Sequence, residues 1–277
     1  MKLPRSLLPL AMIALCTFAR AEEPPPSVAP TANPPVSLLR PGESLTYHVG
    51  WGVLGHAGDM KIIATSDIVD GQPRTRVTTS SATQGFVRFL YRFDGEARMW
   101  FDPVDGRLIA ASATTEAKKS KTNASISFDY AKREASYVDH LRPERTGPRA
   151  LPEGLPMDMV TALIQTRAWA LTPGQSRDVL VLFDDDFYPL QITAEREEMI
   201  STPTGDRKAV LLIPRMVGTP KGMFRRGGEV RVWVSADDSR LPLRFEVKVK
   251  VGTAYAVLSA YEPPTEKKPA QPSASSP

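Results

Sequence analysis

The sequence predicts an all-β protein with one helix: a single antiparallel, strongly curved sheet or incomplete β-barrel, with an amphipathic helix packed on its concave face. Three observations predict it. Short segments of alternating apolar and polar residues recur along most of the chain, with Asp-Gly turns at 70–71, 94–95 and 105–106 among the breaks between them. One segment alone, residues 158–171, carries helical spacing. The strand-like run 243–251 sets Leu243, Phe245, Val247, Val249 and Val251 against Arg244, Glu246, Lys248 and Lys250, so one face is apolar and the other charged. Such a strand belongs to a sheet with water on one side.

In chain order, residues 1–21 read as a cleaved signal peptide. Lys2 and Arg5 precede an apolar stretch from 6 to 18, and Ala19-Arg20-Ala21 is a small-x-small site ahead of Glu22. The apolar stretch is shorter than the roughly 18 residues a bilayer crossing needs, and no later segment approaches that length. The protein is therefore expected in the periplasm or outside the cell, with no transmembrane segment in the mature chain. The single cysteine, Cys16, lies inside this leader behind Leu15, which is not the small residue that lipoprotein processing requires. A mature chain starting at Glu22 has no thiol and no disulfide, which excludes cysteine catalysis and thiolate metal sites. The net charge of +4 falls to +1 without Lys2, Arg5 and Arg20, which argues against nucleic acid as a partner.

Residues 22–36 and 263–277 are rich in Pro, Ser and Ala and are expected to be disordered tails flanking one β domain over 37–262. The domain opens with Leu45, Tyr47, Val49, Trp51 and Val53 alternating with Thr46, His48, Gly50 and Gly52. After the glycine-bearing turn at 55–58, Met60, Ile62 and Ala64 resume the alternation, so the two segments predict a hairpin. Further strands are expected at 74–80, 87–101, 107–116, 122–130 and 134–139. A second series is expected at 176–183, 188–199, 207–214, 229–235, 241–250 and 254–261. Between the two series, Met159, Val160, Leu163, Ile164 and Leu171, with Trp169, follow helical spacing, and Pro173-Gly174 ends the run. A lone helix forms no layer of its own, so its apolar stripe must lie on the apolar face of the sheet.

These landmarks resemble a bacterial exported family known as domain of unknown function 3108. The resemblance is carried by Leu-Thr-Tyr-His-Val-Gly-Trp-Gly-Val-Leu-Gly-His-Ala-Gly at 45–58, the helix at 158–167, the strand at 192–200 followed by Thr-Pro-Thr-Gly at 202–205, and the segment 232–242. It implies a periplasmic all-β protein without an assigned activity. Such proteins are similar in outline to lipoprotein carriers, whose hollow accepts acyl chains; that likeness concerns fold and not function.

No residue pattern points to catalysis. The serines lack a Gly-x-Ser-x-Gly elbow. His48, His56 and His140 fall on an outward strand position, a glycine turn and a strand end, so no pair is expected to meet at a metal, and neither a metal nor another cofactor is expected. The carboxylate runs Asp184-Asp185-Asp186 and Asp237-Asp238 read as turns, with calcium or acid-base roles as the alternative. Lys118-Lys119-Ser120-Lys121 reads as a solvated hairpin tip. Met223 and Phe224 beside Arg225 and Arg226 read either as an ordinary strand crossover with its Phe folded inward or as a loop tip suited to a lipid surface or partner. Tyr47, Trp51, Phe89, Tyr91, Leu163, Trp169 and Phe245 are the candidate lining of a hydrophobic cavity, with plain core packing as the other reading of the aromatic residues. The function read from this is a non-catalytic, exported binding or carrier protein for a lipid-like ligand or partner segment. The alternatives are an envelope assembly or scaffold protein acting through its surface, and an envelope-polymer hydrolase using the Asp clusters.

Overall fold

The structure, a computed structural model, describes residues 39–52, 55–90, 92–117, 120–183, 185–220, 224, 228–249 and 252–264. Its fifteen strands form one sheet, which is mostly a meander because turn residues follow nearly every alternating run. The first strand, β1 (Ser44–Trp51), lies in the middle. From it the chain runs outward through β2 (His56–Val69), β3 (Gln72–Thr83), β4 (Phe93–Phe101), β5 (Leu108–Ala117), β6 (Ser120–Asp129), β7 (Glu134–Asp139) and β8 (Gly147–Ala150). It crosses to the opposite edge at β9 (Pro156–Asp158) and returns through β10 (Ser176–Phe183), β11 (Asp186–Thr202), β12 (Gly205–Met216), β13 (Glu229–Ser235) and β14 (Pro242–Val249). The last strand, β15 (Gly252–Glu262), pairs antiparallel with β1. First and last strands are thus neighbours, whereas β8 and β9 are the sheet's two edges.

Two α-helices occur among the described residues, one more than the sequence pattern gives. The expected strand at 87–101 is split: residues Gly85–Leu90 form a short helix, α1, and the strand begins only at Phe93. Gly85 takes a positive φ of 53° that ends the preceding strand, and the Arg88 guanidinium grips Asp94 at 2.8 and 3.0 Å. The edge strands β8 and β9 were not expected, because each contains a proline, a residue that strands accept at edges.

The sheet rolls until one end laps the other. Register shifts at 46/47, 49/50, 100/101, 194/196 and 233/234 bend it. In β10, Val179 and Val181 face a cluster with Leu190, Ile192, Leu212 and Val232, whereas Leu180 and Leu182 pack with Ile126, Ala135 and Tyr137 of β6 and β7. Both faces of this strand are buried, as its unbroken run Val-Leu-Val-Leu requires. The same holds for β12, where Val210 and Leu212 serve one cluster and Ala209, Leu211 and Ile213 another. The expectation of water on one side therefore fails for β10, β12 and β13, since overlap and curvature cover their second faces. Asp185, in the turn after β10, spans the overlap. Its two carboxylate oxygens accept from Arg145 and Arg149 of the β7–β8 region, each at 2.9 Å.

The second helix, α2 (Met159–Trp169), starts where the Asp158 side chain accepts from the Val160 and Thr161 amides at 2.8 and 3.2 Å. It stops at Ala170, which is left-handed with φ 49°. It is not the amphipathic helix expected. Ile164 joins the core with Leu45, Tyr47 and Leu258, while Ala162, Leu163 and Trp169 join the cluster of β10 to β13. Thr161, Gln165 and Thr166 are buried too, so the helix is a septum between two cores. Its final turn is fastened by Glu43, only 1% exposed, whose Oε1 accepts from Arg167 at 2.7 Å and from the Tyr261 hydroxyl at 2.8 Å. The Arg40 amide occupies Oε2 at 2.9 Å.

Two measurements test these ties. Glu43→Gln is expected to destabilise the fold by about 3 kcal/mol in denaturant titrations, because it strands a buried guanidinium, and adding Arg167→Met is expected to recover part of that loss. At Asp185 burial favours the neutral acid, but the Arg149 hydrogen bond and the charges of Arg145 and Arg149 outweigh it, leaving the pKa below the usual range. A lowered carboxylate pKa stabilises the fold above the unfolded value and ceases to do so as pH falls through the folded one. Asp185→Asn is therefore expected to lower Tm at pH 7, with the difference from the parent protein shrinking as the pH falls through the acid range.

Candidate functional site

Between α2 and the inner faces of β10 to β14 lies an apolar cavity of about 160 Å³. Period-two alternation delivers its walls: Tyr188, Leu190 and Ile192 from β11, Leu212 and Pro214 from β12, Val230 and Val232 from β13, and Phe245 and Val247 from β14. Register aligns them, since Val232 pairs with both Leu212 and Phe245, and Val230 pairs with Val247. The helix closes the space with Met159, Val160, Ala162, Leu163 and Thr166, and Met60 of β2 joins them. The Thr166 hydroxyl is used within the helix, donating to the Leu163 carbonyl at 2.6 Å. Among the described residues no charged side chain lines the space. Its rim is marked by Phe183, 48% exposed, which meets Tyr188 edge-on at 6.1 Å, and by half-buried Phe224 and Pro214. Walls of this kind are complementary to apolar groups.

Of the residues expected to line a hollow, Leu163 and Phe245 stand in this wall. Tyr47 lies behind it, with no exposure, its ring edge-on to Phe245 at 5.6 Å and its hydroxyl donating to the Pro242 carbonyl at 2.9 Å. Burial pushes that phenol's pKa well up. Trp169 is buried further along α2, beneath the Arg177 guanidinium at 5.4 Å. Trp51 and Phe89 stand on the surface, 40% and 85% exposed. Tyr91 lies outside the described residues. So do Met223, Arg225 and Arg226 of the basic loop; its Phe224 faces the cavity. The valines of β13 and the leucines of β11 and β12 were missed, because alternation gives each strand an apolar face but not which strands share a void.

Asp185 lies in the turn between β10 and β11, Asp186 opens β11, and Asp237 and Asp238 lie in the turn between β13 and β14. Asp237 accepts from the Ser239 amide and the Ser235 hydroxyl, each at 3.0 Å, and from Arg207. Burial works against its charge, but the bonds from Ser239, Arg207 and Ser235 prevail and hold its pKa at about 2. Asp185 serves the overlap, and Asp184, with Lys118 and Lys119, lies outside the described residues. The histidines require a correction: His48 and His56, expected apart, both reach the Asp59 carboxylate, at 2.9 and 2.7 Å. The pairing of β1 with β2 brings them together, and spacing along either strand alone does not show it.

Among the described residues no helix is long and apolar enough to cross a membrane. A family model described as a protein of unknown function, DUF3108, matches residues 46–259. No curated protein matches the sequence. Among solved structures the chain is similar to a β-barrel-like protein of domain of unknown function DUF1849 from Brucella abortus, at TM-score 0.53 and 7% identity, over 82% of this chain and 99% of that one. This likeness shows a shared barrel-like fold. A candidate lipoprotein from Parabacteroides distasonis (TM-score 0.29, 9% identity, 84% and 100% coverage) and a candidate exported protein with a YmcC-like fold from Bacteroides fragilis (TM-score 0.29, 11% identity, 81% and 97% coverage) also match.

The septum geometry sets apart two neighbouring residues. Leu163 already faces a void on one side, whereas Ile164 is packed all round at 1% exposure. Leu163→Ala is expected to cost about 2 kcal/mol and Ile164→Ala about 4 kcal/mol, read as the difference in urea midpoints at constant m.

Proposed function

We propose that this chain, which belongs to the DUF3108 family, is an exported, non-catalytic binding or carrier protein that takes the apolar part of an amphipathic ligand into the cavity between α2 and β10–β14. The observation that carries this reading is an uncharged cavity opening between aromatic side chains, beside a helix buried on nearly every face. A tightly folded protein gains stability by filling such a space, and a void persists where packing is not the only demand on it. Its volume of about 160 Å³ resembles that of cavities that stay dry and take a benzene-sized guest. The guest is therefore one end of an acyl chain or a ring, with the polar remainder outside the rim at Phe183 and Phe224. A partner protein's apolar side chain would satisfy the same walls. The leader at 1–21 supports export, which brings the cavity to the cell envelope, where lipid-like molecules are at hand.

A fluorescent acyl probe tests this. The protein is expected to take up one probe per chain with an emission blue shift, and Val232→Phe, which projects a ring into the cavity, is expected to weaken uptake by at least about tenfold while far-UV circular dichroism stays unchanged. Absence of uptake by folded protein, or uptake indifferent to Val232→Phe and Leu163→Phe alike, would refute the assignment.

A further inference from the structure

The hairpin of β1 and β2 carries a second constellation, on the face turned away from the core. In register His48 pairs with Asp59, and Gly50 pairs with His56. Strict alternation would send His56, three residues before Asp59, to the opposite face. The register shift between Val49 and Gly50 prevents this. It leaves Ala57 and Gly58 both buried, so His56 emerges on the same side as Asp59 and His48. Re-aiming a side chain in this way is a common use of a bulge.

The outcome is convergence. His48 Nδ1 and His56 Nε2 both approach Asp59 Oδ1, at 2.9 and 2.7 Å, with ring centroids 4.5 Å apart. One ligand atom from each residue lies within 4.8 Å of the other two. The second carboxylate oxygen is held by Gln84 Nε2 at 2.6 Å, and the Gln84 amide donates to the Ala57 carbonyl at 2.9 Å, tying the start of α1 to the bulge.

We propose that His48, His56 and Asp59 bind a divalent transition-metal ion of the zinc or copper class, with Gln84 as the residue that positions the carboxylate. Two imidazole nitrogens and one carboxylate oxygen suit these ions and not calcium or magnesium, which prefer oxygen alone. Three protein ligands leave at least one coordination position for water or an exchangeable ligand, as in open rather than structural sites. The side chains are 45%, 46% and 33% exposed, so an ion reaches them without rearrangement of the sheet. A carboxylate hydrogen-bonded from its far oxygen is the usual outer support of such a ligand. The site is independent of the cavity, and neither assignment rests on the other.

The test is zinc titration of the protein, prepared without a polyhistidine tag, in competition with a chromophoric chelator. One ion per chain is expected. His56→Ala and Asp59→Asn should each weaken binding by at least about 100-fold, and Gln84→Ala by about tenfold. His140→Ala, at the exposed histidine after β7, should leave it unchanged. Copper bound to the parent protein should show nitrogen hyperfine coupling by electron paramagnetic resonance, and this should diminish in His48→Gln. All these side chains are partly exposed, so thermal melts of the variants should match the parent. Lack of stoichiometric zinc binding, or affinity unaltered by both Asp59→Asn and His56→Ala, would overturn the proposal.

Discussion

A sheet that rolls without hydrogen-bonding its two edges has to be kept rolled by side chains, and the buried Glu43 carboxylate is where that constraint concentrates. It sits just before β1, accepts the Tyr261 hydroxyl from the end of β15, and accepts Arg167 from the last turn of α2. The two ends of the strand series and the helix between them thus meet at one charge. A buried ion pair of this kind adds little to stability beyond what apolar packing would supply, but it tolerates only one arrangement of its members. Asp185 does related work at the other side of the roll, where strand pairing stops. There two arginines and the Leu180, Leu182 and Tyr137 contacts replace the missing ladder.

The cavity follows from the helix being fixed at that end. With Arg167 and Tyr261 setting its position and Asp158 capping its start, α2 cannot settle equally against both cores. It packs closely through Ile164 and leaves space beside Leu163 and Ala162. The strands opposite present Val230 and Val232, side chains too short to reach across. A larger residue at either position would close the gap, so the emptiness is written in the choice of valine and not in the topology.

Much of this was legible in the residues, and the limits have physical reasons. Alternation with turn signals located β7, β10 and β13 to the residue and most other strands to within a few. Helical spacing located α2, but the amphipathic reading misled, because Thr161, Gln165 and Thr166 are buried as well as the apolar stripe. Phe89 looked inward because alternation was extended through residues that form α1, where Gly85 breaks the strand. The cavity wall and the His48–His56–Asp59 cluster depend on which residues pair across strands and where bulges fall. Neither is fixed by local propensity, because a one-residue slip exchanges the two faces of a strand.

That period-two rule also defines how the two sites relate. Asp59 belongs to the histidine cluster and Met60, the next residue, to the cavity wall, so one strand separates an outer polar site from an inner apolar one. An occupant of one site alters the other only if the strand has two states that differ in affinity for it. Here β2 is paired with β1 from His56 to Ile63 and with β3 from Gly58 to Val69, and β1 in turn with β15. Moving Met60 would require slipping or breaking ladders on both sides. Shared strand and strict pairing therefore favour two sites that fill independently.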